Sequence, residues 1–153
     1  MRPQARIVRL TVTNEEARAL LEEYYEAVQV VQRDQPGSME KWIDAPGSGM
    51  WVAYLEEEAV GCVVLRSLTS IPKASECKRL YVKPSARGNG IAEQLLDAQE
   101  SFARGRGVEW IYLDSYDDLK AAIALYERRG YRRCKRYNDN PQATLFMRKR
   151  IGA

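Results

Sequence analysis

Residues 6–12, Arg-Ile-Val-Arg-Leu-Thr-Val, place apolar and polar side chains with the two-residue period of a half-buried strand. The period then changes. Ala17, Leu20, Leu21, Tyr24, Val28 and Val31 recur at helical spacing, predicting an amphipathic helix capped by Thr13 or Asn14 with Glu15 and Glu16 in its first turn. Pro36-Gly37 ends that helix, and a short one over 38–43 follows, stopped by Pro46-Gly47-Ser48-Gly49. Residues 50–55 and 59–65 are apolar, β-branched runs around Glu56-Glu57-Glu58, the pattern of an antiparallel hairpin with an acidic, solvated turn.

The second half alternates strand and helix signals. Residues 76–82 read as a strand ending at Lys83-Pro84. From about residue 90, Ile91, Leu95, Ala98 and Phe102 lie on one line of a helix that Gly105-Arg106-Gly107 terminates. A strand over 108–113 precedes a helix over 119–129, with Asp117 as its expected cap and Gly130 closing it. Residues 131–137 and 143–150 are the last two expected strands. Asn138-Asp139-Asn140-Pro141 separates them, and Tyr137-Asn138-Asp139-Asn140-Pro141, polar and aromatic, is either a plain turn or part of an acceptor pocket. Without repeats, linkers or low-complexity tracts, residues 1–153 read as one α/β domain with a mixed sheet.

Composition narrows the chemistry. No apolar run approaches the roughly 18–20 residues that cross a bilayer, and the first residues lack the apolar core of a secretory signal. Cys62, Cys77 and Cys134 have no Cys-x-x-Cys spacing, which predicts neither a disulfide framework nor a metal site and fits a cytoplasmic protein with no membrane partner. The absence of histidine leaves acid–base work to Glu, Asp, Tyr, Lys, Cys or water. Charge is uneven: residues 1–60 carry a balance of −5 and residues 128–153 one of +8. The acidic third hints at a cationic acceptor. The basic third suits a polyanion, either nucleic acid or a phosphate-rich cofactor, or is a solvated rim.

Lys83 to Leu96, KPSARGNGIAEQLL, is the most informative stretch. A strand, a glycine-bearing turn and a helix start form an anion site, because first-turn amides lack helical partners and Arg87 can add charge-assisted bonds. It is not a P-loop, and Glu93 stands where a dinucleotide fingerprint needs its third glycine. Arg87-Gly88-Asn89-Gly90-Ile91-Ala92 instead resembles the [R/Q]-x-x-G-x-[G/A] signature of the GNAT superfamily of N-acetyltransferases. Lys78-Arg79-Leu80-Tyr81-Val82 upstream, and the run from Ala121 through Leu125-Tyr126-Glu127 to Gly130-Tyr131 downstream, extend the resemblance over nearly the whole chain.

The resemblance implies a mixed, mostly antiparallel sheet of about six or seven strands flanked by helices, and acetyl-CoA as co-substrate with no metal. It implies pyrophosphate binding by Arg87, Gly88, Asn89, Gly90, Ile91 and Ala92, and backbone pairing of Leu80, Tyr81 and Val82 with the pantetheine arm. The acceptor would be a primary amine of a small molecule or peptide, attacking the thioester directly. Tyr126 matches the family's general acid. Glu76 is the candidate base, with Asp114 and water as competitors. Where many members carry Asn, this chain has Leu119, which puts one hydrogen bond of the family site in doubt. Homodimers are common in the family, and nucleic acid is not an expected partner. A non-catalytic CoA sensor and a nucleic-acid-binding module built on the basic third are the alternatives.

Overall fold

The structure, a computed structural model, describes residues 4–152. Its elements are β1 (Arg6–Arg9), α1 (Glu15–Val28), α2 (Ser38–Asp44), β2 (Gly49–Leu55), β3 (Glu58–Leu68) and β4 (Ala74–Val82). After a single 3₁₀ turn (Pro84–Ala86) come α3 (Ile91–Gly105), β5 (Trp110–Ser115), α4 (Lys120–Arg128), β6 (Arg132–Arg133) and β7 (Leu145–Arg150). Among the described residues, seven strands form one sheet in the order β1-β2-β3-β4-β5-β7-β6. Every pairing is antiparallel except β4 with β5. This is the mixed, mostly antiparallel sheet that the sequence leads one to expect.

Both faces of the sheet are covered, which explains why β2 and β3 read as continuous apolar runs rather than alternating ones. On one face, Val63, Leu65, Ile111, Leu113 and Met147 pack against Leu95 and Leu96 of α3 and Leu125 of α4. On the other, Met50, Val52, Cys62 and Val64 pack against Leu20, Leu21 and Tyr25 of α1 and Trp42 of α2. Asn14 caps α1, its side chain accepting the Ala17 amide at 2.7 Å. Burial pushes the thiols of Cys62 and Cys77 up to about 12, so both are neutral packing groups.

Of the boundaries that differ from the sequence expectation, five have an identifiable local reason. The first strand stops at Arg9, although Leu10 still donates its amide to Met50 O at 2.8 Å. α1 ends at Val28 because Gln29 turns left-handed at φ 56°, so Val31 falls outside the helix and stands 81% exposed. β4 begins at Ala74, where it first pairs with Trp110. Asp117 does not cap α4; Leu119 occupies that position without a side-chain bond, and the Asp117 amide donates to Thr144 Oγ1 at 2.9 Å. The expected strand over 131–137 shrinks to Arg132–Arg133, and after Cys134 donates to Phe146 O the chain leaves the ladder. That departure carries Tyr137 and Asn138 back over the sheet.

A split sheet, a glycine turn and a polar cleft

The β4–β5 ladder holds three pairs, Ala74↔Trp110, Ser75↔Ile111 and Glu76↔Tyr112, and then stops. Beyond it β4 pairs with β3 and β5 with β7, so the sheet divides. A bulge bends β4 at the same height: Cys62↔Tyr81 and Val64↔Lys78 flank it, leaving Arg79 and Leu80 opposite Val63. Arg79 takes φ 59°, unusual for a side-chain-bearing residue and here fixed by its contacts. Its guanidinium grips Asp34 through Nε at 2.9 Å and Nη2 at 3.0 Å, and Tyr25 donates its hydroxyl to the same carboxylate at 2.5 Å. Burial alone would raise the Asp34 pKa, but the Arg79 bonds and charge outweigh it and hold the carboxyl below its ordinary range.

β4 delivers the chain to the glycine turn. Gly88 and Gly90 have φ of 81° and 73°, and a Cβ on either would meet nothing within 4 Å. The turn therefore needs glycine for its backbone sign, and the space above it is open. Gly90 caps α3 with no side-chain bond, and the Gln94 amide closes the first turn on Gly90 O at 3.1 Å. Asn89 does not cap either; it donates to Ala86 O at 2.9 Å and braces the loop. Arg87 is exposed, its Nε on Val82 O at 3.0 Å. Ile91 is buried beneath the turn and Ala92 is half-buried. Leu80 and Val82 lean on the α3 side of the sheet, whereas Tyr81 is buried on the α1 side and donates to Glu23 at 3.1 Å.

Glu76, at the last rung before the split, is the hub of the polar site. Only 2% of it is exposed. Oε1 accepts Arg66 Nη2 at 2.8 Å, while Oε2 accepts the Tyr137 hydroxyl at 2.6 Å and Asn138 Nδ2 at 3.1 Å. Asn138 also bridges to Asp114 Oδ2 at 2.7 Å, which Asn140 meets at 3.4 Å. Burial, then Glu76, push the Tyr137 hydroxyl far above its usual value and keep it a donor. Glu76, Arg66 and Asp114 floor a cleft of about 1130 Å³ walled by Tyr24, Val30, Val31 and the 138–142 segment.

Glu76, Asp114 and Leu119 line this cleft; Tyr126 and residues 80–82 and 87–92 do not. Tyr126 lies on the α3–α4 face, buried, with its ring edge-on to Tyr131 at 5.6 Å. Desolvation, aided by Cys77, Tyr24 and Asp114, raises its pKa well above the ordinary tyrosine value. Sequence reasoning missed Arg66, Lys78, Arg79 and Asp34, and it did not pair Tyr137 with Glu76. The alternation of β4 could have flagged Lys78, since it shares a face with Glu76. Residues 138–141 line the cleft. Among the described residues no cluster of three or more His, Cys, Asp or Glu is placed to hold a metal, and no helix is long and apolar enough to cross a membrane.

Part of the basic third is engaged internally, while Arg128, Arg132, Arg133 and Lys135 are exposed. Arg129 pairs with Asp97 at 2.8 Å and Glu100 at 3.2 Å, Lys149 with Glu100 at 2.7 Å, and Arg136 donates to the carbonyls of Asn138, Asn140 and Ala143. Arg148 and Arg150 lie over Trp110 at 4.1 and 5.8 Å.

A family model described as Acetyltransferase (GNAT) family matches residues 12–131. The uncharacterized N-acetyltransferase YjgM of Escherichia coli is 38% identical over 87 residues, covering 56% of this chain and 52% of that protein. The chain thus spans about half the length of that curated relative. Among solved structures, a GNAT-family acetyltransferase of Staphylococcus aureus superposes with a TM-score of 0.81 at 21% identity, over 97% of this chain and 99% of that one. An acetyltransferase of Streptococcus agalactiae gives 0.77 at 19% identity, over 95% and 98%. At such identities the two structures speak to the fold.

Proposed function

The chain belongs to the Acetyltransferase (GNAT) family, and on that premise we propose that it transfers an acetyl group from acetyl-CoA to a primary amine of a small molecule or peptide. The observation that carries this reading is the split itself. It opens after Glu76↔Tyr112 with the glycine turn and α3 N-terminus at one end and the polar cleft on the α1 side. A thioester lying in the split would have its phosphates at the turn and its acetyl carbon facing the cleft. Residues 87–92 would take the pyrophosphate through amides and the Arg87 side chain. The backbone of Leu80, Tyr81 and Val82 would pair with the pantetheine arm.

The amine attacks the thioester carbonyl; a C–N bond forms and the C–S bond breaks. An alkylamine is protonated at neutral pH and must first lose a proton. Both oxygens of Glu76 already meet donors, so that proton reaches it across a water. Tyr126, held protonated by burial, supplies the proton that the leaving thiolate takes. Asp114 is the second candidate base, because its Oδ1 accepts no hydrogen bond among the described residues.

A CoA sensor would bind acetyl-CoA without turnover. The nucleic-acid reading is weakened where Arg129 and Arg136 fold back on Asp97, Glu100 and backbone carbonyls, although Arg128, Arg132, Arg133 and Lys135 stay exposed. Two measurements test the proposal: thermal stabilisation by acetyl-CoA, and CoA release across amines, amino acids, polyamines, aminoglycosides and peptides. Stabilisation without CoA release from any acceptor would leave the sensor; neither effect would overturn the reading.

A further inference from the structure

The cleft's charges can be sorted by what already satisfies them. Arg79 is spent on Asp34 in a two-point grip, and Arg33 lies on Glu22 and Glu26 at 3.3 and 3.1 Å. Arg66 is bonded to Glu76. Lys78 is different. Its nearest carboxylate oxygen is Asp34 Oδ1 at 4.0 Å, an oxygen Arg79 already holds at 3.0 Å, and its ammonium makes no hydrogen bond among the described residues. Its side chain is only 23% exposed, and it lines the cleft. A half-buried ammonium with three donors and no acceptor is costly unless something anionic visits it. Desolvation, then the neighbouring Arg79, depress its basicity, and the opposing pull of Glu76 and Asp34 does not make up the difference.

Across the split the opposite holds. Among the described residues, Asp114 is met only by the neutral amides of Asn138 and Asn140, with no cation on it. Register relates the two. Glu76 sits opposite Tyr112 in the parallel ladder, so two residues further along each strand come Lys78 and Asp114, in step on either side of the opening. Strand alternation puts Glu76 and Lys78 on one face. The Tyr112 ring stacks edge-on to Tyr137, which donates to Glu76, so Tyr112 and Asp114 share that face. The mouth of the split is therefore dipolar, with a weakly paired ammonium on one lip and, on the other, a carboxylate met by neutral amides.

We propose that the acceptor is a small aminocarboxylate, its carboxylate seated on Lys78 and its amine turned toward the Asp114–Glu76 lip. This rests on the acetyltransferase reading above and replaces the cationic acceptor suggested by the acidic first third. The acidic side chains of that third mostly lie elsewhere: Glu22 and Glu26 are exposed and paired with Arg33, and Asp34 is saturated by Arg79 and Tyr25. An ammonium-only substrate such as a polyamine would meet Lys78 uncompensated.

The test is a matched set of acceptors with acetyl-CoA: free amino acids, their carboxamides, and the corresponding amines without the carboxyl group. At least one amino acid should exceed its own carboxamide in kcat/KM by about 10- to 100-fold, the worth of a charge-assisted bond in a half-buried site. Lys78→Met, which keeps the apolar stem, should raise KM for that amino acid by a similar factor of about 10–100 and leave the carboxamide within about threefold. Lys78→Arg should restore part of the preference. Turnover of carboxamides or polyamines equal to or above that of every amino acid overturns this inference and leaves the acetyltransferase reading intact. A Lys78→Met loss that is equal for acid and amide overturns it as well. No CoA release with any acceptor defeats both.

Discussion

Two glutamates in this molecule are equally buried, at 2% exposure, and do opposite things. Glu100 on α3 is ringed by cations: Lys149 at 2.7 Å, Arg129 at 3.2 Å and Arg104 at 3.7 Å, tying α3 to α4 and β7. Glu76 on β4 has one cation, Arg66, and otherwise the neutral donors Tyr137 and Asn138. The two closest Glu100 cations, Lys149 and Arg129, are only 20% and 11% exposed, and only the more distant Arg104, at 51%, reaches the surface. The Glu76 cluster opens on the cleft, and Arg66 is 45% exposed. Burial of a carboxylate therefore says little about its role. What matters is whether its partners can be re-solvated and whether a ligand can reach it.

That contrast can be broken most forcefully at Glu100. Glu100→Gln strands Lys149 and leaves Arg129 short of a partner, and should cost about 3–5 kcal/mol of stability, read by urea or thermal unfolding. Activity per folded molecule should be unchanged. Tyr126→Phe should do the reverse, lowering kcat by about 100-fold or more at nearly constant Tm; an unchanged kcat would remove Tyr126 from the mechanism. Glu76→Gln should lower kcat/KM by about 10- to 100-fold and erase the acidic limb of the pH–rate profile. Its stability cost should stay near 1 kcal/mol, because the freed Arg66 can turn to water. Retention of the acidic limb would transfer the base to Asp114.

Smaller effects sharpen the same distinction between packed and open sites. Gly90→Ala should lose about 1–2 kcal/mol and raise KM for acetyl-CoA, purely through its φ of 73°, as no atom stands in the way of the methyl. Gly105→Ala, in α3 with similar open space, should be neutral or gain up to about 1 kcal/mol. The mildest concerns Asp34. Its folded pKa is depressed, so its contribution is fully present above the unfolded value of about 3.9 and is lost as pH falls through the folded one. Hydrogen-exchange protection of residues 29–37 should thus be flat from pH 7 to about 4 and collapse only below that, and Asp34→Asn should abolish the transition.

Much of the fold was legible because local patterns agreed with the tertiary result. The Asn14 cap, the glutamate turn of the β2–β3 hairpin and the apolar line of α3 are all set by neighbours in sequence. The glycine turn was legible for the same reason. The polar site was only half so. Glu76 stood out, but its partner Tyr137 lies 61 residues away, and Asp34 lies 45 from Arg79. No local period encodes such meetings. The sequence marks Tyr137 as part of a pocket candidate but not its meeting with Glu76, since residues 131–137 look like a strand and the chain abandons the ladder after Cys134 to reach Glu76. Glu100 drew no notice at all, because a glutamate at a helix position reads as surface until Arg129 and Lys149 arrive from distant elements.

The three-rung ladder between β4 and β5 has one more consequence. Residues 77–82 occupy the centre of a seven-stranded sheet yet hydrogen-bond as an edge strand would, on the β3 side alone. Exposed edges recruit other strands, and bulges are one device that discourages them; the Arg79–Leu80 bulge sits on this inner edge. In hydrogen exchange, amides of β4 that face the gap should behave like those of a sheet border and slow sharply when acetyl-CoA is added. The ligand would then be the missing strand, and the sheet would be continuous only in its presence.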